Sequence, residues 1–469
     1  MTKDRNLSHN SAVHCRECAT EFELLALHEA HPERYPYLLQ SIAAEPHLAR
    51  FDILFAHPGE TLALLPDGTL QQGTQTLVDN DFLKQLDNGW QREANTHQPS
   101  IDLPFSGGWF LYLGYELAAQ VEPNLKLPTA GFVKQLPIAY ATRVPAAIIR
   151  DHQQQKSWLM AETEQMELLD LMQQEIDALP PSRPPATDTP FVTALHEEEP
   201  THYLNAVEKI KKYIVDGDVF QVNLSREWRG EMVDGTSVAD IYRRLCQRNP
   251  APFAGLACYQ ESAVISSSPE RLVSVKAGCV STRPIAGTRP RAVSGDDDRA
   301  LSEALLQHPK ERAEHVMLID LERNDLGRVC EPGTIEVDEF MVLESYAHVH
   351  HIVSNVRGKQ RKEVSPGEII RALFPGGTIT GCPKVRCMEI IAELEQVTRG
   401  PYTGAMGYLN RDGSMDLNIL IRTIVSEGKA LSLRAGAGIV ADSNAVAELE
   451  ETRIKARGLL RALGINDAD

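Results

Sequence analysis

The chain has 469 residues, and its 47 lysines and arginines against 65 aspartates and glutamates give a formal charge of −18. That length is enough for roughly two or three ordinary domains or one large one, and the acidity argues against nucleic acid or an anionic membrane as main partner, though not against a small anion held by a local group of cations. With 42% hydrophobic and 24% charged residues the composition is that of a globular protein, not a disordered one.

The opening segment is polar and lacks the apolar stretch of a secretory signal, and no run of 18 apolar residues follows, so a cytoplasmic chain without membrane spans is expected. Cys15 and Cys18 form a lone CxxC with no second pair at zinc-site spacing, and the 8 scattered cysteines fit reduced thiols. Phe51–Phe55, Thr61–Leu65 and Phe110–Leu113 are predicted strands, with Pro66-Asp67-Gly68 as a hairpin-type turn and Gly107, Gly108 and Gly114 as turn positions. A helical segment near Glu164–Asp177 runs into Ala178–Pro190, where dense proline blocks helix and central strand alike. It is read as a linker that ends an N-terminal region, 1–190, and precedes a C-terminal one, 191–469.

Past the linker, Leu204, Val207, Ile210 and Ile214 recur at helical spacing in Tyr203–Ile214, and Gly217 supplies a stop. Val219–Ser225 alternates as a strand, with Phe220, Val222 and Leu224 on one side and Gln221, Asn223 and Ser225 on the other. A long helix is expected around Leu301–Leu321, and Pro383 is placed in the first turn of a helix Lys384–Leu394. Met415–Val425 and Ala430–Ala435 read as two strands, Gly436-Ala437-Gly438 as a turn, and Asp442-Ser443 as the cap of a last helix to about Leu463. Strands interspersed with helices, without a βαβ rhythm, point to an α+β fold with mostly antiparallel sheets.

Some residues stand out chemically. Glu311 and Glu314 share one helix face, Glu448 and Glu451 another, with Lys455 one turn further on. In so acidic a chain such pairs fit solvated faces. If the two helices face each other, however, four carboxylates converge and require a divalent cation, for which all-oxygen ligation suits Mg²⁺. Phe374–Gly381 is rich in glycine and threonine and fits either a capped turn or an anion cradle; it lacks the GxxxxGK[ST] spacing. Arg422, in the apolar stretch Leu417–Val425, needs an anionic partner or an exit to solvent, and Gly436 and Gly438 allow close backbone approach. Alternation puts His348 and His350 on one side and His351 on the other, as metal ligands or as buried, hydrogen-bonded imidazoles. Glu270 follows Ser266–Pro269 in a turn.

In chain order, the segments Gln221–Arg226, Ser268-Pro-Glu270, Arg283–Arg291, Lys310–His315, Asp320–Gly327, Phe374–Pro383, Ala435–Ala441 and Glu450-Glu-Thr452 with Lys455 resemble the chorismate-utilising enzymes. That family includes anthranilate synthase component I, aminodeoxychorismate synthase component I and the isochorismate and salicylate synthases. Gly107-Gly108 and Tyr112–Glu116 extend the resemblance to its amidotransferase-linked members. The resemblance implies a large two-sheet β core with surrounding helices, and a chorismate-binding catalytic domain over 191–469. It implies Mg²⁺ at Glu311, Glu314, Glu448 and Glu451, with Glu314 and Glu451 as direct ligands. Arg422, Tyr402, Lys455 and N–H groups near Gly436 and Gly438 match positions that hold the enolpyruvyl carboxylate, and Thr378 lines the ring-carboxylate side. Glu270 matches the general acid for the departing 4-hydroxyl, a poor leaving group unless protonated, and His351 matches the active-site histidine.

Members that use water carry an activating lysine where this chain has Gln221, which favours ammonia as nucleophile. No GxCxGxQ glutaminase motif occurs, so ammonia is expected from a separate glutamine amidotransferase subunit. Asn223, His350, Gly377 and Asn418 resemble the aminodeoxychorismate synthases. Ala286, where many of those carry a ring-attacking lysine, resembles the anthranilate synthases. The expected product is 4-amino-4-deoxychorismate, on the way to p-aminobenzoate and folate, with anthranilate as the alternative.

Overall fold

The computed structural model describes residues 13–42, 50–94, 101–180, 189–291, 295–345 and 349–465. Most of the prolines of Ala178–Pro190, and His348, lie outside them. Two twelve-stranded antiparallel sheets organise the chain, giving an α+β architecture with helices on the outer faces. The first sheet runs Val13–Cys18, Lys156–Glu162, Ala146–Asp151, Phe51–Ala56, Tyr37–Gln40, Phe253–Tyr259, Ser262–Ser268, Thr423–Glu427, Ala430–Ile439, Gln221–Met232 and Val192–Glu197, with Gly381–Cys382 paired to the start of Gln221–Met232. The second runs Ile285–Pro290, Val349–Lys359, Cys279–Arg283, Arg271–Lys276, Met415–Asn418, Ala405–Asn410, Gly108–Leu113, Ala139–Val144, Thr61–Leu64, Leu70–Gln72 and Gln75–Thr76, with Glu336–Ser345 on Val349–Lys359. Each sheet therefore draws strands from both sides of the proline-rich segment.

The strand Gly108–Leu113 shows how the layers are built. Phe110 and Tyr112 point between the sheets, where Phe110 stacks on Tyr37 at 4.1 Å and meets Phe55 edge-on. Trp109, Leu111 and Leu113 point the other way, toward the helices Phe82–Glu93 and Pro366–Leu373. All six residues are buried, so period-2 alternation sorts two apolar faces and not an apolar from a polar one. On the outer face of the first sheet, the helices Leu24–Ala30, Leu168–Asp177, Val238–Arg248 and Ala445–Ala462 cover a second apolar layer.

The structure departs from the sequence-based expectations at several points. The stretch expected as one helix around Leu301–Leu321 is two, Gly295–Gln307 and Pro309–Gly327, because Pro309 cannot continue the first and starts the second. Met415–Val425 is not one strand: it breaks after Asn418 and resumes at Thr423, with Arg422 at φ 53° in the break. Gly436-Ala437-Gly438 is no turn but the continuation of a strand that reaches Ile439. Pro383 precedes the helix Lys384–Glu395 as its N-cap, and Asn444, not Asp442-Ser443, caps the last helix by accepting from the N–H groups of Val446 and Ala447 at 3.1 Å. Cys15 and Cys18 lie on Val13–Cys18, where burial pushes both thiols up to about 12, as in unreactive structural cysteines. Among the described residues no helix is long and apolar enough to cross a membrane.

Candidate functional site

The site is built on two paired strands. Gln221–Met232 and Ala430–Ile439 run antiparallel with Asn223 opposite Gly438 and Ser225 opposite Gly436. Both glycines allow a close approach. A Cβ on Gly438 would lie 2.2 Å from Gln221 Nε2, and one on Gly436 would lie 2.7 Å from the Tyr402 hydroxyl. The Gln221 amide in turn donates to Glu314 Oε1 at 2.7 Å. Lys455 donates to the Gly436 carbonyl at 3.1 Å and pairs with Glu451 at 2.8 Å, one turn back on its helix. The helices Pro309–Gly327 and Ala445–Ala462 are thus tied to the same two strands.

Glu311 and Glu448 border the same space. An ideal Cβ on Gly287 would come within 3.0 Å of Glu311 Oε2. The His351 Nδ1–H donates to the carbonyl of that same glycine at 3.2 Å. Burial, with Glu448 and Glu451 adding to it, holds the Tyr203 phenol well above its ordinary range, and among the described residues its buried hydroxyl has no hydrogen-bond partner. Among the described residues no group of three or more histidine, cysteine, aspartate or glutamate side chains is close enough to hold a metal ion. The four carboxylates lie on the two helices tied to the strand pair but are not drawn into one coordination sphere among the described residues.

Arg422 stands in the break between Met415–Asn418 and Thr423–Glu427. Its left-handed backbone, with φ 53°, turns it out of the strand direction. Among the described residues the guanidinium makes no ion pair; burial lowers its pKa, opposed by Tyr402, Glu451 and Glu270. An exposed sheet-edge arginine held by a surface carboxylate is therefore not what the chain forms. Tyr402 is buried, with the Arg399 guanidinium 5.5 Å from its ring.

Glu270 sits between the strands Ser262–Ser268 and Arg271–Lys276 at 4% exposure. Burial pushes its carboxyl up to about 8, opposed by the Thr378 hydroxyl, the Ile285 N–H at 3.4 Å and Arg422. Thr378 is close to the carboxyl without being aligned to it, and among the described residues its hydroxyl has no hydrogen-bond partner. His351 is pushed the other way, down to about 4, again first by burial. Its carbonyl partner fixes the proton on Nδ1. His350 is held by Ser345 at 2.8 Å and Asp298 at 3.0 Å, a buried hydrogen-bonded imidazole.

A buried ionic hub under Tyr402 escaped the sequence reading. Arg399 and Glu395, at 1% and 2% exposure, pair at 2.6 Å, and Arg434 meets Glu395 at 3.1 Å. Arg399 also donates to the carbonyls of Asn223 at 2.8 Å and Ile379 at 3.3 Å, which joins the site strand to the glycine–threonine loop. The i, i+4 spacing of Glu395 and Arg399 was a visible signal, but it resembles any surface pair.

Residues 42–461 match the family model described as chorismate binding enzyme. The aminodeoxychorismate synthase component 1 of Bacillus subtilis is 39% identical over 412 residues, covering 86% of each chain. An anthranilate synthase component I-like protein of Synechocystis sp. is 43% identical over 363 residues, covering 77% of this chain and 73% of its own. The crystal structure of anthranilate synthase component I from Streptococcus pneumoniae superposes with a TM-score of 0.79 at 33% identity, covering 88% of this chain and 92% of that one. The chain belongs to the chorismate-binding enzyme family.

Proposed function

We propose that the protein aminates chorismate with ammonia to give 4-amino-4-deoxychorismate, with Mg²⁺ bound and with ammonia delivered by a separate glutamine amidotransferase subunit. The observation that carries the acid chemistry is Glu270, a fully buried carboxyl pushed up to about 8 beside Arg422 and Thr378. At neutral pH it is protonated and can donate to the departing 4-hydroxyl, the role for which a raised pKa is suited. Arg422 and Lys455, with Tyr402 and the backbone at Gly436 and Gly438, hold the enolpyruvyl carboxylate, and Thr378 lines the ring-carboxylate side. His351, neutral at working pH, borders the ring.

Glu311, Glu314, Glu448 and Glu451 fit Mg²⁺ in the chemistry of their donors, all hard carboxylate oxygens. When bound, the ion would neutralise the ring carboxylate against those acids. Gln221 favours ammonia over water, since a neutral amide cannot serve as the activating base. Ala286, buried just before the bulge at Gly287, has no amine with which to attack the ring. Ammonia or another group therefore has to take over the attack on the ring. That same residue favours the second reading, an anthranilate synthase component I. The acid role is tested by Glu270→Gln: turnover should fall at least about 10²-fold with chorismate binding retained. Unchanged turnover would overturn the assignment.

A further inference from the structure

Glu270 has an acidic neighbour that the reaction as described does not use. Glu322 and Asp325 lie nearly one turn apart on Pro309–Gly327, at 6% and 4% exposure. Lys384, the first residue of the helix Lys384–Glu395, pairs with Asp325 at 2.5 Å and donates to the Leu373 carbonyl at 3.2 Å. Two short stretches of chain link Glu322 to Glu270. In the first, a Cβ on Gly377 would lie 3.3 Å from Glu322 Oε1, and the next residue is Thr378, whose hydroxyl approaches Glu270. In the second, Thr282 lies beside Glu322, and three residues on the Ile285 N–H points at Glu270 Oε1.

We propose that Glu322 is a positioning residue that acts through Glu270: its buried negative charge keeps the general acid protonated, and the Lys384–Asp325 pair holds that charge in place. The electrostatics run in this direction. Burial pushes Glu322 up to about 7, with Asp325 adding and Lys384, Thr282 and the Gly377 N–H opposing. Asp325 is itself raised by burial, against Lys384 and Arg328. Glu270, at about 8, faces Glu322 on one side and Thr378, the Ile285 N–H and Arg422 on the others. Once ionised, Glu322 carries a charge that resists ionisation of Glu270. The pair so extends the pH range over which the acid carries its proton.

This inference rests on Glu270 being the general acid, and the pH dependence of kcat/KM separates the two claims. With chorismate, Mg²⁺ and ammonium, Glu322→Gln should move the alkaline limb down by roughly 0.5–1 pH unit. Glu322→Asp, which keeps the charge, should leave most of it in place. Lys384→Gln serves if Glu322→Gln does not fold: without the ammonium group Glu322 stays neutral to higher pH, and the limb again moves down. Lower rates at every pH with an unmoved limb would mean a merely structural role and overturn the inference. If Glu270→Gln abolishes turnover while the Glu322 variants leave the limb at its wild-type position, only the present inference falls. If Glu270→Gln keeps full turnover, the general-acid reading falls first.

Discussion

At the scale of single residues, the site separates two ionisable groups chiefly by burial. Glu270 is pushed up to about 8 and His351 down to about 4, so near pH 7 the site holds a protonated acid and a neutral imidazole. The price is stability. Between the unfolded carboxylate pKa of about 4.3 and about 8, the folded chain keeps a proton on Glu270 that the unfolded chain has released. Folding therefore weakens as pH rises through that window. Glu270→Gln removes this penalty, and its melting temperature relative to wild type should rise from pH 5 to pH 8, by about 2 °C or more. A constant difference across that range would contradict the burial of an ionisable acid there. The sequence motif places Glu270 in a turn and supplies no hint of its environment, because burial comes from the loop Phe374–Gly381 and the strand Ile285–Pro290, both distant in the chain.

Among the elements, the strand pair under the cleft carries the most specific expectation. Gly438 is adjacent to Gln221, and Gln221 holds Glu314. The nearest obstacle to a methyl group is the far end of a flexible side chain, so Gly438→Ala should fold normally while displacing the Gln221 amide. Turnover should drop about tenfold or more, a barrier change of about 1.4 kcal/mol, with little change in melting temperature; wild-type turnover would contradict the role of that contact. Alternation and turn chemistry made Gln221–Asn223 legible as a strand, and the i, i+3 glutamates were legible as helix faces. What misled was long-range packing. Ala435–Ile439 continues as a strand because Asn223 and Ser225 pair with its glycines, although glycines in a row read locally as a turn. Arg422 lies in a break because the Met415–Asn418 strand belongs to one sheet and Thr423–Glu427 to the other, a change of sheet that no local propensity records.

Across the whole molecule, the two sheets share strands from both ends of the chain, and the Glu395–Arg399–Arg434 hub joins the helix Lys384–Glu395, the site strand and the loop. Burial alone would raise the Glu395 carboxyl, but Arg399 and Arg434 outweigh it and hold it below its ordinary value. Removing Arg399 strands that charge, so Arg399→Met should cost about 3–5 kcal/mol in urea unfolding at pH 7. The loss should shrink as pH falls below the unfolded carboxylate range, where Glu395 becomes neutral. An undiminished loss at low pH would point to packing instead of charge.

The central claim concerns the product. Purified protein should be incubated with chorismate, Mg²⁺ and an ammonium salt, and the products separated by chromatography and weighed by mass spectrometry. The proposed function predicts 4-amino-4-deoxychorismate, with no reaction when the metal is chelated. Fluorescent anthranilate and pyruvate, formed without any added lyase, would contradict that reading and assign the chain to the other branch of its family.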